Sequence, residues 1–391
     1  MLAAGTSAGD TGTDMSIIGP KFVMLDTATI AQAAANPGDR SVKVLLAMLR
    51  SGDWIPYFTW HHLEELISHE NADVFKRRAD LLARLPHLAH LRQPGNAPCP
   101  YMGSATDVRD YEITFLADHP GESHQEVVGA VWSYVRGGFC SGEEFIKANM
   151  DWWCIFRPYL AEVTRIRKEQ VANTTHFPTT DLKRRLPAKG QSPGPCSPEE
   201  SAKRYAALAR QLEQKIIECG DCRNVDPKAA ASKLMREAYE DTLPLLKSGG
   251  DFIDEMMKRD GVSRDRLPPK PTVEDMCDEA VFVAQMGVHA RRLLRPKDEL
   301  LRLVRKEQIP SWLIWREVDR RLKQLPRAEV GNINDKHILA FGPYVEVVNV
   351  DKRIADLLRQ AAHDHDLLSR VYERVPKARG LAGLIAHMKK K

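Results

Sequence analysis

The sequence lacks the features that would assign it to several common classes of protein. No stretch approaches the ~20 uninterrupted apolar residues that cross a bilayer, and the first segment has no basic start followed by an apolar core. No Walker-type phosphate loop, no GxGxxG after a strand and no serine nucleophile elbow occurs. We therefore expect no membrane partner, and neither a nucleotide-driven motor nor a dehydrogenase nor a serine hydrolase.

Cysteine is scarce, with seven in 391 residues. This odd and scattered set does not suit a disulfide framework, so the sequence predicts reduced thiols and a cytoplasmic location. Cys219 and Cys222 have the spacing of half a zinc knuckle, to which Cys196 and Cys277 could add ligands from a distance. A second pair at matching distance is missing, and ordinary thiols are the favoured interpretation.

The charge is nearly balanced overall but not locally. There are 57 basic and 53 acidic residues, which gives a formal net charge of +4 and indicates no polyanionic partner by itself. Residues 291–327, however, contain twelve Lys or Arg and five Asp or Glu, a net charge of +7. Solvated helix faces are the ordinary explanation, and a phosphate-binding surface gains weight only if other features indicate nucleic acid.

The two ends of the chain show an alternation of strand and helix. Residues 20–26 and 54–60 are typical of buried strands, and residues 40–50 and 61–85 have the apolar spacing of helices. This order begins a parallel α/β sheet.

The alternation is lost from about residue 100, where long helical patterns dominate, and it returns near the other end. There a helix at 334–342, a strand at 344–351 and a helix at 352–364 are predicted. The expected fold is therefore an α/β domain with a parallel sheet flanked by helices, interrupted by a large, mostly helical insertion. The predicted parts are a flexible tail (1–18), the first part of the α/β domain (19–100), the insertion (101–309) and the second part of the α/β domain (310–391).

Four acids lie at positions where α/β folds commonly carry catalytic or binding residues. Asp26 and Asp351 are predicted to end strands, Glu65, with neighbouring Glu64, lies in the first turns of a helix, and Asp335 begins another helix that Asn334 or Asp335 could cap. Each acid alone could be a turn former, a cap or a surface charge. Together, at the carboxyl edge of a parallel sheet, they are expected to converge.

Carboxylates that share one crevice repel one another, and a bound divalent cation is the simplest way to keep them ionised. Ligands that are all oxygen favour Mg²⁺ or Mn²⁺. Such a site suits phosphodiester hydrolysis, because metal ions can activate a water molecule and neutralise the leaving oxygen.

The ordered motifs resemble those of the PIN-domain family of metal-dependent nucleases. The similar segments are FVMLD ending at Asp26, WHHLEEL with Glu65, DKHILAFG opening at Asp335, and VEVVNVD ending at Asp351. The resemblance covers about residues 20–95 and 315–375. It implies that these four acids are the metal ligands and the catalytic residues, with Glu65 preferred over Glu64 because the family's Glu commonly precedes Leu.

The resemblance implies a nuclease that acts on RNA, or less readily on single-stranded DNA. The insertion would then contact nucleic acid, mediate homo-oligomer formation or bind a regulatory protein. The candidate residues for gripping the nucleic-acid backbone are Arg291, Arg292, Arg316, Arg320, Arg321 and Lys352.

Two other functions compete with this interpretation. A catalytically silent scaffold of the same fold would bind nucleic acid or protein, although the presence of all four acids weighs against it. An unrelated Mg²⁺-dependent phosphohydrolase is disfavoured by the lack of a strand-end DxD pair. His61 and His62 are expected to flank the acidic site, and Trp312 and Trp315 to pack in the core.

Overall fold

A five-stranded, mostly parallel sheet organises the protein. The computed structural model describes residues 20–69, 71–91, 103–174, 182–189, 197–219, 226–248, 251–322, 331–378 and 380–391. The strands are β1 (Lys21–Met24), β2 (Trp54–Phe58), β3 (Leu88–His90), β4 (Gly138–Cys140) and β5 (Val347–Val348). Their order in the sheet is β4-β3-β2-β1-β5, and only the pairing of β3 with β4 is antiparallel.

Helices cover both faces of this sheet and form the connections between its strands. Those of the first half are α1 (Thr27–Ala35), α2 (Arg40–Arg50), α3 (Trp60–Ile67), α4 (Ala72–Ala83), α5 (Ala105–Asp118), α6 (His124–Val135) and α7 (Gly142–Thr174). The middle of the chain forms α8 (Pro198–Cys219), α9 (Pro227–Lys247), α10 (Phe252–Arg259), α11 (Val273–Leu293) and α12 (Lys297–Leu303). The last helices are α13 (Pro310–Leu322), α14 (Gly331–Leu339), α15 (Lys352–Ala361), α16 (Asp366–Tyr372) and α17 (Gly380–Met388).

Strand β1 shows how the sequence builds a sheet that is buried on both faces. Phe22 and Met24 belong to an apolar core that includes α5, α6, α13 and α15. Val23 and Leu25 belong to a second core that includes α1, α2, α4 and α17. Because successive strand side chains point to opposite faces, an unbroken apolar run can fill both cores. The result is a mixed α/β architecture with helices on each side of the sheet.

Several elements match the sequence prediction and others differ in their bounds. The helix at 40–50 and the strand beginning at Trp54 are confirmed. The single helix predicted at 61–85 is wrong, because the chain forms α3 and α4 instead. Helix α3 ends at Ile67, and Asn71 caps the start of α4 by accepting hydrogen bonds from the amides of Asp73 and Val74.

The expected insertion shares the core of the sheet at both of its ends. Helices α5, α6 and α11 and Leu300 of α12 contribute buried apolar side chains to the core of Phe22 and Met24, and β4 adds a strand. Within the described residues, separate apolar clusters occur only between residues 186 and 276. The division at residues 100 and 309 stays a prediction, although the core continues across both boundaries. The predicted tail, 1–18, lies outside the described residues.

Helix α5 is unusual because it buries four ionisable side chains, each at most 3% exposed: Asp107, Arg109, Asp110 and Glu112. Asp107 and Asp110 both pair with Arg292 of α11, and the Asp110 carboxylate lies 2.6 Å from Nδ1 of His289. These contacts fix α5 against α11.

Glu112 connects α5 to the start of α13 and to the segment that precedes β5. Its carboxylate accepts hydrogen bonds from the Ser311 amide at 3.1 Å and from the Tyr344 hydroxyl at 2.7 Å. Buried polar groups are tolerated when they are paired in this way. None of the described helices is both long enough and apolar enough to cross a membrane.

Glu112 should make stability depend on pH. Burial raises its pKa to about 7, so the folded state holds the proton more tightly than the unfolded state, in which the pKa is near 4.5. The stability due to the protonated form is complete below pH ~4.5 and is lost as the pH rises to about 7, a loss of about 3 kcal/mol. We expect Glu112→Gln to remove this loss and to unfold at higher urea concentration than wild type at pH 8.

Urea unfolding at pH 5 and pH 8 checks this expectation. Glu373→Gln, which changes an exposed carboxylate, is the matched control and should leave the pH dependence intact. An equal loss of stability between the two pH values in wild type and Glu112→Gln would contradict it.

Candidate metal centre

Asp26 and Asp351 lie at the carboxyl edge of the sheet, where each caps the helix that follows a strand. Asp26 Oδ1 accepts a hydrogen bond from the Ala28 amide at 3.0 Å, and Asp351 Oδ1 accepts one from the Ile354 amide at 2.7 Å. The prediction that both residues end strands is wrong, because β1 ends at Met24 and β5 is only two residues long. Their place at the expected edge of the sheet follows from the short turns that separate strand and helix.

Glu65 links three elements of the site. It accepts a hydrogen bond from Asn334 Nδ2 of α14 at 2.7 Å and another from the hydroxyl of Thr27, the residue after Asp26. Helices α1, α3 and α14 therefore meet at this carboxylate. The neighbouring Glu64 is also buried, but Glu65 makes the contacts to Thr27 and Asn334.

Asp335 is 6% exposed and lies in the second turn of α14. The prediction that Asn334 or Asp335 caps this helix is wrong, because the helix begins four residues earlier, at Gly331. A carboxylate inside the helix receives no capping hydrogen bonds from free amides, which makes its burial more costly. Asn334 serves instead as a donor to Glu65.

The electrostatics join the four acids into one cluster. Burial raises the pKa of Asp335 well above its usual range, and the negative charges of Asp26, Asp351 and Glu65 raise it further. Burial also raises the pKa of Asp26, with a further contribution from Asp351, and that of Glu65, with one from Asp26. Because such effects weaken with distance, Asp26, Asp351 and Glu65 lie within electrostatic range of Asp335.

The donor chemistry of this cluster fits a hard divalent cation. All four side chains offer oxygen only, which Mg²⁺ and Mn²⁺ prefer, and a cation would relieve their mutual repulsion. Within the described parts of the chain, no three or more His, Cys, Asp or Glu side chains are gathered closely enough to hold a metal ion. Glu65 is turned toward Thr27 and Asn334 in this arrangement.

Two histidines flank the acids, and only one of them faces α14. Nδ1 of His62 accepts a hydrogen bond from the Thr59 amide at 3.1 Å, and burial lowers its pKa to about 4, so it caps α3 as a neutral ring. The ring of His61 stacks on that of His337 with centroids 4.6 Å apart.

Sequence reasoning missed the roles of Thr27, Asn334 and His337. Thr27 directly follows Asp26, and His337 lies two residues after Asp335, so proximity to the motifs was the available signal. It did not indicate which side chains face the cluster, because this depends on how α3 packs against α14.

The residues predicted to bind the nucleic-acid backbone differ in whether they form ion pairs within the protein. Arg292 pairs with Asp107 and Asp110, Arg316 lies 2.6 Å from Asp278, and both Arg320 and Arg321 pair with Glu317. The pairs of Arg292 and Arg316 join different helices, the pairs with Glu317 lie within α13, and together they occupy the charges of the four arginines. Arg291 and Lys352 are exposed and form no ion pair with any residue that the structure describes.

The remaining predictions concern two tryptophans and the cysteines considered for zinc. Trp312 is 3% exposed and packs in the core against Trp315. Of the cysteines considered for zinc, Cys277 is exposed, whereas Cys196, Cys222 and the side chain of Cys219 lie outside the described residues.

Comparisons with known proteins give no relative. No protein-family model, no curated protein and no solved structure matches this chain.

We predict that Asp335→Asn stabilises the metal-free protein at neutral pH. The raised pKa of Asp335 means that ionisation is unfavourable in the folded state, so stability is complete at acid pH and falls as the pH rises past the unfolded value of 3.8. The amide removes both the charge and its repulsion. In EDTA at pH 7.5 we expect the melting temperature to rise by a few degrees.

Thermal denaturation of Asp151→Asn provides the control, since Asp151 is an exposed carboxylate on α7. A lower melting temperature for Asp335→Asn than for wild type would mean that the Asp335 carboxylate is favourably paired, contrary to this account.

Proposed function

We propose that this protein is a PIN-like, Mg²⁺- or Mn²⁺-dependent nuclease that hydrolyses phosphodiester bonds in RNA, or less readily in single-stranded DNA. The observation that carries the proposal is Asp335, whose pKa is raised by burial and further by Asp26, Asp351 and Glu65 near the carboxyl edge of a parallel sheet. Perturbed carboxylates at such an edge are typical of functional sites.

The four acids would hold the metal, which supplies an activated water and neutralises the leaving oxygen when bound. The chain's own groups provide orientation. Thr27 and Asn334 donate to Glu65 and fix its carboxylate, and the backbone amides of Ala28 and Ile354 fix Asp26 and Asp351. Supporting hydrogen bonds of this kind hold ligands in position. Lys352, exposed beside Asp351, offers a cation to a phosphate.

The order of the motifs supports the choice of family. The acids follow β1, lie in the helix after β2, lie in the helix before β5 and follow β5, in the same order as in the PIN-domain family that the sequence resembles. The sequence resemblance and the parallel sheet favour this proposal over a small-molecule phosphohydrolase.

A catalytically silent scaffold is the second candidate. It is favoured by the engagement of Glu65 with Thr27 and Asn334, and by the lack of a gathered metal-binding group among the described side chains. Such a protein would bind nucleic acid or a protein partner without cutting.

A cleavage assay separates the two candidates. We expect labelled RNA to be cut with Mn²⁺ and not with EDTA, and the rate to fall about 100-fold or more in Asp26→Asn and in Asp335→Asn. The reason is that each carboxylate would help to hold the ion, whose charge stabilisation is worth several kcal/mol. Asp151→Asn should cut at the wild-type rate. RNA binding without cutting would support the scaffold, and equal cutting by all variants would show that the acids are not the site.

Nucleic-acid binding should depend on the exposed cations more than on the paired ones. We predict that the double variant Arg291→Gln, Lys352→Gln weakens RNA binding. The slope of log affinity against log salt concentration should fall by about one for each phosphate that the variant no longer neutralises. The measurement is fluorescence anisotropy with labelled single-stranded RNA at several salt concentrations.

The matched control is Arg50→Gln, an exposed arginine at the end of α2 and outside the basic stretch 291–327. An unchanged slope in the double variant, or the same decrease in the control, would show that these two residues do not bind the backbone.

A further inference from the structure

Several buried hydrogen-bond donors beside α13 have no acceptor among the described residues. Arg109 is 3% exposed, and its Nη1 donates to Gln285 Oε1 at 2.9 Å, but its Nε and Nη2 have no partner. The indole Nε1 atoms of Trp312 and Trp315 are buried and lack a partner in the same way. Four donor nitrogens of three side chains therefore remain unsatisfied.

These donors belong to one compact group. The guanidinium carbon of Arg109 lies 5.4 Å from the ring centroid of Trp312 and 5.3 Å from that of Trp315, and the two indole centroids are 5.2 Å apart. A buried donor without an acceptor is destabilising, and more so when it carries a charge. The concentration of such donors in one place indicates a missing acceptor.

The positive charge of this group is offset by cation–π contacts with the two indoles and, through space, by Glu112. Burial lowers the pKa of Arg109 to about 10, which leaves the guanidinium charged at neutral pH. Glu112 is the acid that offsets this charge, but its carboxylate is hydrogen-bonded to Ser311 and Tyr344. No ion pair to Arg109 forms within the described part of the chain.

We propose that Arg109, Trp312 and Trp315 form a subsite for a phosphate group. A guanidinium fork matches the geometry of two oxyanion oxygens, and the indole N–H groups add donors of the kind that such oxygens accept. A water molecule fits less well, because it must donate hydrogens of its own and the unpaired groups here are all donors. Gln285 and Trp315 are only half buried, so the subsite lies close beneath the surface.

The subsite lies near the helix that carries Asp335. The ring of Trp315 lies 6.5 Å from that of His337, which is two residues beyond Asp335 on α14. The bound phosphate could be inorganic phosphate or part of a nucleic-acid backbone, which share the same oxyanion chemistry. The inference does not require the acids to bind metal or to cut, and its test is made without metal.

The test is thermal denaturation of the full chain in EDTA at constant ionic strength. One arm adds inorganic phosphate in place of chloride, and the other adds a 5′-phosphorylated thymidine tetranucleotide. We expect the wild-type melting temperature to rise by a few degrees, with saturation, in at least one arm. A rise with inorganic phosphate identifies a free oxyanion as sufficient, and a rise with the oligonucleotide alone assigns the subsite to a nucleic-acid backbone.

Arg109→Met separates ligand binding from a structural role. Without ligand we expect the variant to fold, because Met keeps the apolar part of the side chain and removes two donors that lack an acceptor, and we expect the ligand-dependent rise to disappear. Arg302→Met, an exposed arginine on α12, should keep the full rise. If Arg109→Met does not fold, Trp315→Phe decides, since it keeps an aromatic ring but loses one donor and should raise the half-saturating concentration about tenfold.

Two results would overturn the proposal. One is the absence of any saturable rise in wild type in either arm. The other is a rise of the same size and midpoint in wild type and in the Arg109 or Trp315 variant.

Discussion

The burial of like charges at one edge of a parallel sheet is the main physical constraint on the candidate site. Asp335 is almost fully buried, and burial raises its pKa, with further contributions from the charges of Asp26, Asp351 and Glu65. A protein gains no stability from this arrangement, because burial and repulsion both oppose the ionised form. Elements as distant in sequence as α1 and α14 are nevertheless brought to this point by direct hydrogen bonds, which favours a functional reason for the cluster.

A second set of buried charged side chains lies on α5. Helix α5 pairs its two aspartates with α11, and it fixes Ser311 and Tyr344 through Glu112. Tyr344 directly precedes the segment that leads into β5 and Asp351. Through the hydrogen bond from Tyr344 to Glu112, α5 therefore helps to position the last strand and Asp351, which follows it. Helix α5 itself carries none of the four acids.

The sequence was sufficient for the parts of the structure that depend on local pattern. The apolar run before Asp26 predicted a strand buried on both faces, and the helix at Arg40–Arg50 was predicted to the residue. The choice of acids followed from predicted strand ends for Asp26 and Asp351 and from predicted helix starts for Glu65 and Asp335, and the other three acids contribute to the raised pKa of Asp335. The break between α3 and α4 was missed, because Asn71 caps a helix within a stretch whose apolar spacing continues.

What the sequence could not provide depends on tertiary contacts. The start of α14 at Gly331 places Asp335 inside the helix, and no local signal distinguishes this from a cap. The roles of Asn334 toward Glu65 and of Arg109 between two indoles require knowledge of which helices pack together. The sharing of one core by the sheet, α5 and α6 was hidden in the same way, since their helical pattern is also that of an independent domain.

The central claim is that the four carboxylates act as one cation-binding unit. Calorimetric titration of the metal-free protein with Mn²⁺ tests it most directly. The account predicts saturable binding to wild type that is lost when Asp26 and Asp335 are both replaced by asparagine. Undetectable binding to wild type, or the same affinity and stoichiometry in the double variant, would contradict it.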